Sequence, residues 1–346
     1  MRKNRYKGLD GLRSIAALGI IAVHVAKNTR YQLDAIWYTE VICKFESFVN
    51  LFFIISAFSM CCGYYERIKN GSISLDSFYK KRYKKIWPIF ALLVCIDMVY
   101  SWEGLQSLAD AFADLSMSFA FLPGNSISIV GVGWTLGVIF AFYMLFPFFV
   151  FLLWNKKRAW FVFVIALIFD VLKRYLFANE TSFALCNILI WAVYFVAGGI
   201  VYLYKDELEN LVRNNRYFWL LICWVGLVLW FILPEKVVGV DIFTLKTLTC
   251  ALLWVIYAIA VDSKVLDNRI TGFLSGISFE IYLIHMFAYR ICEKLRLVAI
   301  FGVNSVWSFV VAFVLVVLLA TVSSYYAKKS LLLLEKRLTK KEETIS

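Results

Sequence analysis

The chain has 346 residues, of which 62% are hydrophobic, 18% aromatic and only 17% charged. Soluble domains carry about 25% charged residues, so this composition excludes a water-facing surface over most of the molecule and indicates a polytopic membrane protein. A formal net charge of +12 does not point to nucleic acid, because the Lys and Arg residues collect between apolar segments, beside anionic lipid, with no nucleic-acid-binding motif.

Apolar runs of about spanning length follow one another near 10–27, 45–65, 86–102, 132–154, 159–176, 186–204, 217–233, 245–261, 272–292 and 306–327,. They predict an all-α membrane bundle of about ten transmembrane helices. With a cytoplasmic N-terminus, the inside segments hold 25 of the 36 Lys and Arg residues and the outside segments 10, with Arg13 inside the membrane. The positive-inside rule then places both termini in the cytoplasm. One transmembrane domain is expected over 1–330, followed by a charged cytoplasmic tail at 331–346. The first run follows a basic N-terminus as a signal peptide would. It lacks a small-residue cleavage site and contains Arg13 and His24, so it is expected to be retained. Eight cysteines are scattered without a CxxC and read as helix-packing residues. Neither a metal site nor a resident cofactor is expected.

In chain order, the first candidate site is GLDGLRSIAALGIIAVHVAK at 8–27. Eleven residues from Arg13 to His24 make about three helical turns, which places both on one face about 16 Å apart. Ionisable groups within a bilayer cost roughly 2.5 kcal/mol or more each and mark functional sites. An arginine that only snorkels and a histidine that only bonds a neighbouring helix are the plainer alternative. Next comes the inner loop ending DSFYKKRYKKIWP, where Lys80, Lys81, Arg82, Lys84 and Lys85 form a cluster. Such a cluster either fixes orientation and binds anionic lipid or holds a phosphorylated donor. The outer loop at 103–131 has no Lys or Arg. Trp134 follows it near the outer interface, as an anchor or a functional residue. The last stretch is LSGISFEIYLIHMF, with the second histidine. Ser278, Tyr282 and His285 share a helix face, whereas Glu280 points away from them. Read as one helix from Gly272, His285 lies about 20 Å above its start, and His24 about 21 Å above Asp10. The two histidines are therefore expected at similar depth.

At these residues the chain resembles the acyltransferase 3 family, membrane O-acyltransferases that modify bacterial surface polysaccharides, lipopolysaccharide, peptidoglycan and some small molecules. LDGLRSIAALGIIAVH looks like the family's first-helix signature, VNLFFIISAF its second-helix motif and FYKKRYKKIWP its cytoplasmic basic motif. WTLGVIFAFYMLFP and ISFEIYLIH resemble its later Trp-led and Tyr-Leu-His motifs. The resemblance spans nearly the whole chain. It implies acyl-CoA, acetyl-CoA above all, as a cytoplasmic co-substrate, with Arg82, Lys85 and Lys81 near its phosphates, Arg13 steadying the donor and His24 as the catalytic candidate. Asp10, Asn50, Ser56, Trp134, Tyr143, Ser278, Glu280, Tyr282 and His285 are the other motif positions. It also implies a glycan or lipid-linked glycan acceptor, contact with membrane lipids, and residence in a bacterial cytoplasmic membrane.

The pattern is not matched throughout. Asn50 stands where the family often has Asp, Ala57 where it has Gly, and Lys85 where the basic motif repeats arginine. Ile139 replaces a common glutamate, and Glu280, on another helix, is a candidate source of the missing carboxylate. A transporter for a surface glycan or its precursor, or a polysaccharide polymerase, also fits the composition. A transporter predicts polar groups throughout the bundle, whereas the intramembrane polar residues gather on the first and ninth runs. A polymerase predicts large external loops carrying arginine, and the loop at 103–131 has none.

Overall fold

The computed structural model describes residues 6–100, 102, 104–120, 131–176, 187–237 and 240–345. They form α1 (Lys7–Thr29), α2 (Phe48–Lys69), α3 (Leu75–Tyr100), α4 (Leu105–Leu115), α5 (Trp134–Leu152), α6 (Lys156–Leu176) and α7 (Ile188–Leu203). The rest are α8 (Lys205–Asn214), α9 (Arg216–Ile232), α10 (Phe243–Ala260), α11 (Arg269–Gly276), α12 (Ser278–Lys294) and α13 (Val306–Ile345). Extended pairing among the described residues is a two-residue ladder, Lys236–Val237 with Val240–Asp241.

The expected apolar runs all fall on helices. Among the described residues, five helical segments are long and apolar enough to cross a membrane, or up to seven if two bent pairs each count as one span. The chain is thus a helical, multi-pass membrane protein. Its outward surface agrees: Leu221, Trp224, Val225 and Val228 of α9 and Leu318 of α13 are exposed, an arrangement costly in water and natural against lipid.

One bent pair corrects an expectation. The run at 272–292 is not a single helix but α11 and α12, which meet at 74° around Ile277, whose ψ of 13° departs from helical geometry. His285 therefore lies only about 10 Å along α12 from Ser278, not about 20 Å above Gly272. Apolar residues on both sides of the break hide it from a hydropathy count. The opening of α11 is easier to read, because the Asn268 side chain accepts from Ile270 and Thr271 while the Thr271 hydroxyl closes a capping box,.

α1 is the most enclosed helix, touching α2, α10, α11, α12 and α13. Two glycines permit this. A Cβ on Gly8 would stand 2.2 Å from the Ala258 carbonyl oxygen, and one on Gly11 2.4 Å from that of Leu266, so any side chain there would push α1 off α10 and the loop beyond it. The largest apolar core joins α2, α5 and α7, with the Phe142 and Phe195 rings stacked at 4.2 Å. α13 runs unbroken through the expected boundary at 330. Its 40 residues reach about 60 Å, twice the hydrocarbon thickness of about 30 Å, so its basic end is a helical extension.

Several ion pairs among the described residues join segments that are expected on the same face. Lys7 with Asp267, Lys84 with Glu335, Lys156 with Glu207 and Lys328 with Glu280 join segments expected at the inner face. Lys27 with Glu46 and Arg290 with Asp97 join segments expected at the outer one.

Helix α4, in the segment expected at the outer face, carries a buried acid. Asp114 is 2% exposed and its Oδ2 has no hydrogen-bond partner. Burial, then Asp110 and Asp97, push its carboxyl up to about 7. In the unfolded chain the value is about 3.9, so the folded state retains a proton that the unfolded state releases. Stability from α4 docking is therefore full below about pH 4, falls as pH rises to about 7 and is flat above that. Hydrogen exchange of α4 amides, corrected for intrinsic rates, should show better protection at pH 5 than at pH 8, and Asp114→Asn should abolish the difference. Equal protection of the unsubstituted chain at both values would refute this.

Candidate functional site

The charged residues that sequence spacing singled out converge at one end of the bundle. Arg13, half-buried on α1, donates from one guanidinium nitrogen to Asp10 Oδ1 at 3.3 Å and from another to Ser59 Oγ of α2 at 2.5 Å. Asp10, 6% exposed, also accepts from Ser275 Oγ of α11 at 2.8 Å. The Ser14 hydroxyl is 2.9 Å from both the Asp10 and Thr271 carbonyl oxygens. A one-turn Asp–Arg pair thus ties α1 to α2 and α11 and fixes the direction of the guanidinium.

α3 supplies the second group. Arg82 donates to the Tyr64 hydroxyl at 2.8 Å and lies 4.7 Å from the Tyr64 ring centroid and 5.6 Å from that of Tyr143. Two aromatic faces therefore orient its plane. Its Nε is buried without a hydrogen-bond partner. Lys85, about one turn further along α3 and exposed, lies within electrostatic reach of Arg82, Arg13, Glu280 and Lys328. Lys328 of α13 bonds Glu280 at 3.1 Å and donates to the Gly276 carbonyl. Four cations, Arg13, Arg82, Lys85 and Lys328, thus gather with the carboxylates of Asp10 and Glu280, and the excess positive charge attracts anions. Lys81 is exposed and makes no hydrogen bond or ion pair among the described residues. Lys80 pairs with Asp76.

The two histidines form the other end. The His24 and His285 rings, from α1 and α12, are 5.1 Å apart at their centroids and inclined by 45°. His24 is half-buried, whereas His285 is 1% exposed and its Nδ1 is 2.7 Å from the Tyr282 carbonyl oxygen. Next to them Tyr282 packs against His285 at 5.8 Å and against Phe52 of α2 at 6.3 Å. Beyond them Thr29 of α1 bonds the Tyr289 hydroxyl of α12 at 3.0 Å, and Lys27 pairs with Glu46 at 2.5 Å. The α1 face from Arg13 to His24 spans about 16 Å and connects the two ends.

The remaining candidates divide. Asn50 is 3% exposed and Ser56 half-buried, both on α2. Ser59, one turn beyond Ser56, is the α2 hydroxyl that meets Arg13. The Ser278 hydroxyl donates to the Ser275 carbonyl, which anchors the bend between α11 and α12. Trp134 is half-buried and packs on Trp191 of α7 at 5.4 Å. Residues 121–130, which lead towards it, lie outside the described residues. Ile139 packs against the main apolar core, while the carboxylate of Glu280 engages Lys328. Sequence reasoning missed Lys328, Ser59 and Tyr64. Ser59 was findable from the three-residue step after Ser56. Lys328 was not, because nothing in its neighbourhood reveals a partner 48 positions earlier.

A helical membrane bundle with a cationic end, a histidine pair and a connecting helix face can be compared with known proteins. Residues 6–325 match the family described as the acyltransferase domain, acyltransferase 3. The chain belongs to the acyltransferase 3 family. Among its relatives, the O-acetyltransferase OatA of Staphylococcus aureus is 28% identical over 157 residues, 40% of this chain and 24% of that protein. The acyltransferase MdmB of Streptomyces mycarofaciens is 28% identical over 161 residues, 41% of this chain and 38% of that protein. The similarity therefore spans well under half of either relative. No solved structure matches the chain. Acyl transfer is the chemistry of the acyltransferase 3 family, and it needs both a held donor and a base.

Proposed function

We propose that the protein is a membrane O-acyltransferase that takes an acyl group, acetyl in the first instance, from acyl-CoA at the cytoplasmic face of a bacterial cytoplasmic membrane and passes it to a hydroxyl of a cell-surface glycan or its precursor. The observation that carries this is the placement of a four-cation cluster and a histidine pair at the two ends of one α1 face. The cationic end suits the phosphates of CoA: Arg82 has a planar fork held between two tyrosine rings, and Lys85 and Lys328 add point charges. The long arm of a CoA thioester can run from these groups along α1 towards His24. O-acylation is favoured by the likeness to a protein named as an O-acetyltransferase, and the positive-inside count supports a cytoplasmic donor side.

The chemistry follows from the groups. A sugar hydroxyl is a weak nucleophile near neutral pH, and histidine titrates in the range a general base requires. His24 takes the hydroxyl proton as the oxygen attacks the thioester carbonyl. The C–O bond forms, the C–S bond breaks with its electron pair leaving on sulfur, and the imidazolium returns the proton to the thiolate. Arg13, tied to Asp10 and Ser59, steadies the donor at the other end.

Mass spectrometry of the surface glycans of cells with and without the gene tests the proposal. An added mass of one acetyl group per modified sugar, lost with the gene and restored with it, is the expected result. Identical glycan masses in both strains would refute the glycan acceptor.

A further inference from the structure

His285 is more tightly specified than His24. Its Nδ1 lies 2.7 Å from the carbonyl oxygen of Tyr282, one turn earlier in its own helix. A carbonyl oxygen can only accept, so Nδ1 must carry the hydrogen. In a neutral imidazole the lone pair then belongs to Nε2, and Nε2 is buried with no hydrogen-bond partner. An unsatisfied acceptor on a ring 1% exposed is costly and calls for a reason. The ring turns its Nδ1 edge to the α12 backbone, so Nε2 lies on the edge facing away from it. Apart from Tyr282 on the same helix, the ring in contact is that of His24 across the α1–α12 interface, 5.1 Å away. The His24 ring makes no hydrogen bond to another described residue. Its neighbourhood otherwise holds the Lys27–Glu46 pair and the Thr29, Tyr289 and Glu293 chain of hydroxyls and carboxylate.

We propose that His285 is a positioning residue for His24: the bare Nε2 accepts a hydrogen bond from the His24 ring N–H, which fixes the His24 tautomer and leaves its other nitrogen unprotonated for substrate. This rests on His24 being the general base. The two ring centroids, 5.1 Å apart, are close enough for a nitrogen of the half-buried His24 ring to meet Nε2 once that ring turns. The Tyr282 carbonyl fixes His285, and His285 fixes His24, so two rings and one peptide group form an ordered series. A neutral acceptor suits the task. A carboxylate at this place would favour the charged imidazolium of His24 and hold its proton more tightly. A neutral imidazole orients the ring without that opposite charge, so the imidazolium returns its proton to the departing thiolate more readily.

The chain has only two histidines, which makes the test direct. In full-length protein with 15N-labelled histidine, purified in detergent, the ring nitrogens report the tautomers, and His24→Gln assigns them. The expected result is a static Nδ1–H form for His285 and a single tautomer for His24. In His285→Phe, which fills the same space, His24 should exchange between tautomers, and kcat should fall about 10- to 100-fold with little change in donor KM. His285→Gln, whose amide oxygen can still accept, should restore part of both. A hydrogen on Nε2 of His285, or a His24 tautomer unchanged in His285→Phe, would overturn the proposal. Should His24→Ala retain full turnover while the tautomers are as described, the general-base assignment fails instead, so the two failures are distinguishable.

Discussion

His24→Ala is expected to lower turnover by about 10²- to 10⁴-fold, the usual contribution of a positioned general base, without loss of folded protein. The substitution removes a half-buried ring near the C-terminal end of α1, whereas the residues that hold α1 in place, Gly8, Gly11 and the Asp10–Arg13–Ser59 series, lie about three turns or more away,. His24→Gln should not recover the rate, because an amide can bond the hydroxyl but cannot take its proton. Donor binding should be unaffected in both variants, since the cationic cluster is untouched. Steady-state turnover with acetyl-CoA, measured beside size-exclusion behaviour and CoA affinity, checks all three statements. Near wild-type turnover of His24→Gln would contradict the base role.

Combined replacement of Arg82 and Lys85 by Ala should weaken acyl-CoA binding strongly. Each charge-assisted hydrogen bond to phosphate contributes about 1.5–3 kcal/mol, roughly a factor of 10 to 150 in Kd. Arg82 is expected to account for more of the loss, because its guanidinium is already oriented by Tyr64 and Tyr143, whereas Lys85 must be ordered on binding. Lys81, expected from the family resemblance near the phosphates, is exposed and makes no ion pair among the described residues, so Lys81→Ala should cost far less CoA affinity than the Arg82 and Lys85 replacement. If the basic run served only to orient the chain, the loss would appear in membrane insertion and the affinity of correctly inserted protein would be unchanged. Isothermal titration with CoA on purified protein separates the two.

How much of this was legible in the sequence depends on distance along the chain. The relation between Arg13 and His24 is helical periodicity within one element, and an eleven-residue step places both on one face whatever α1 packs against. The basic step from Arg82 to Lys85 is legible for the same reason. The meeting of His24 with His285 is not, because 261 positions separate them and only equal depth hinted at it. That hint assumed a continuous helix from Gly272. The 74° break at Ile277 invalidates the assumption, although the rings still meet. Hydropathy cannot register such a break, since a bent apolar segment and a straight one have the same composition. Lys328 shows the other limit. At the end of a long apolar run a lysine looks like an interfacial anchor, and only the packing of α13 on α12 brings it to Glu280.

The most direct measurement is transfer in sealed vesicles in which the protein has one known orientation, with labelled acetyl-CoA supplied to a single face and a soluble glycan acceptor inside and outside. Label should reach the acceptor when the donor is on the face that bears Lys85, Lys328 and the long end of α13, and His24→Ala in the same vesicles should abolish the signal. Transfer supported only by donor on the opposite face, beside Lys27 and Glu46, would contradict the assignment of the cationic cluster as the donor site.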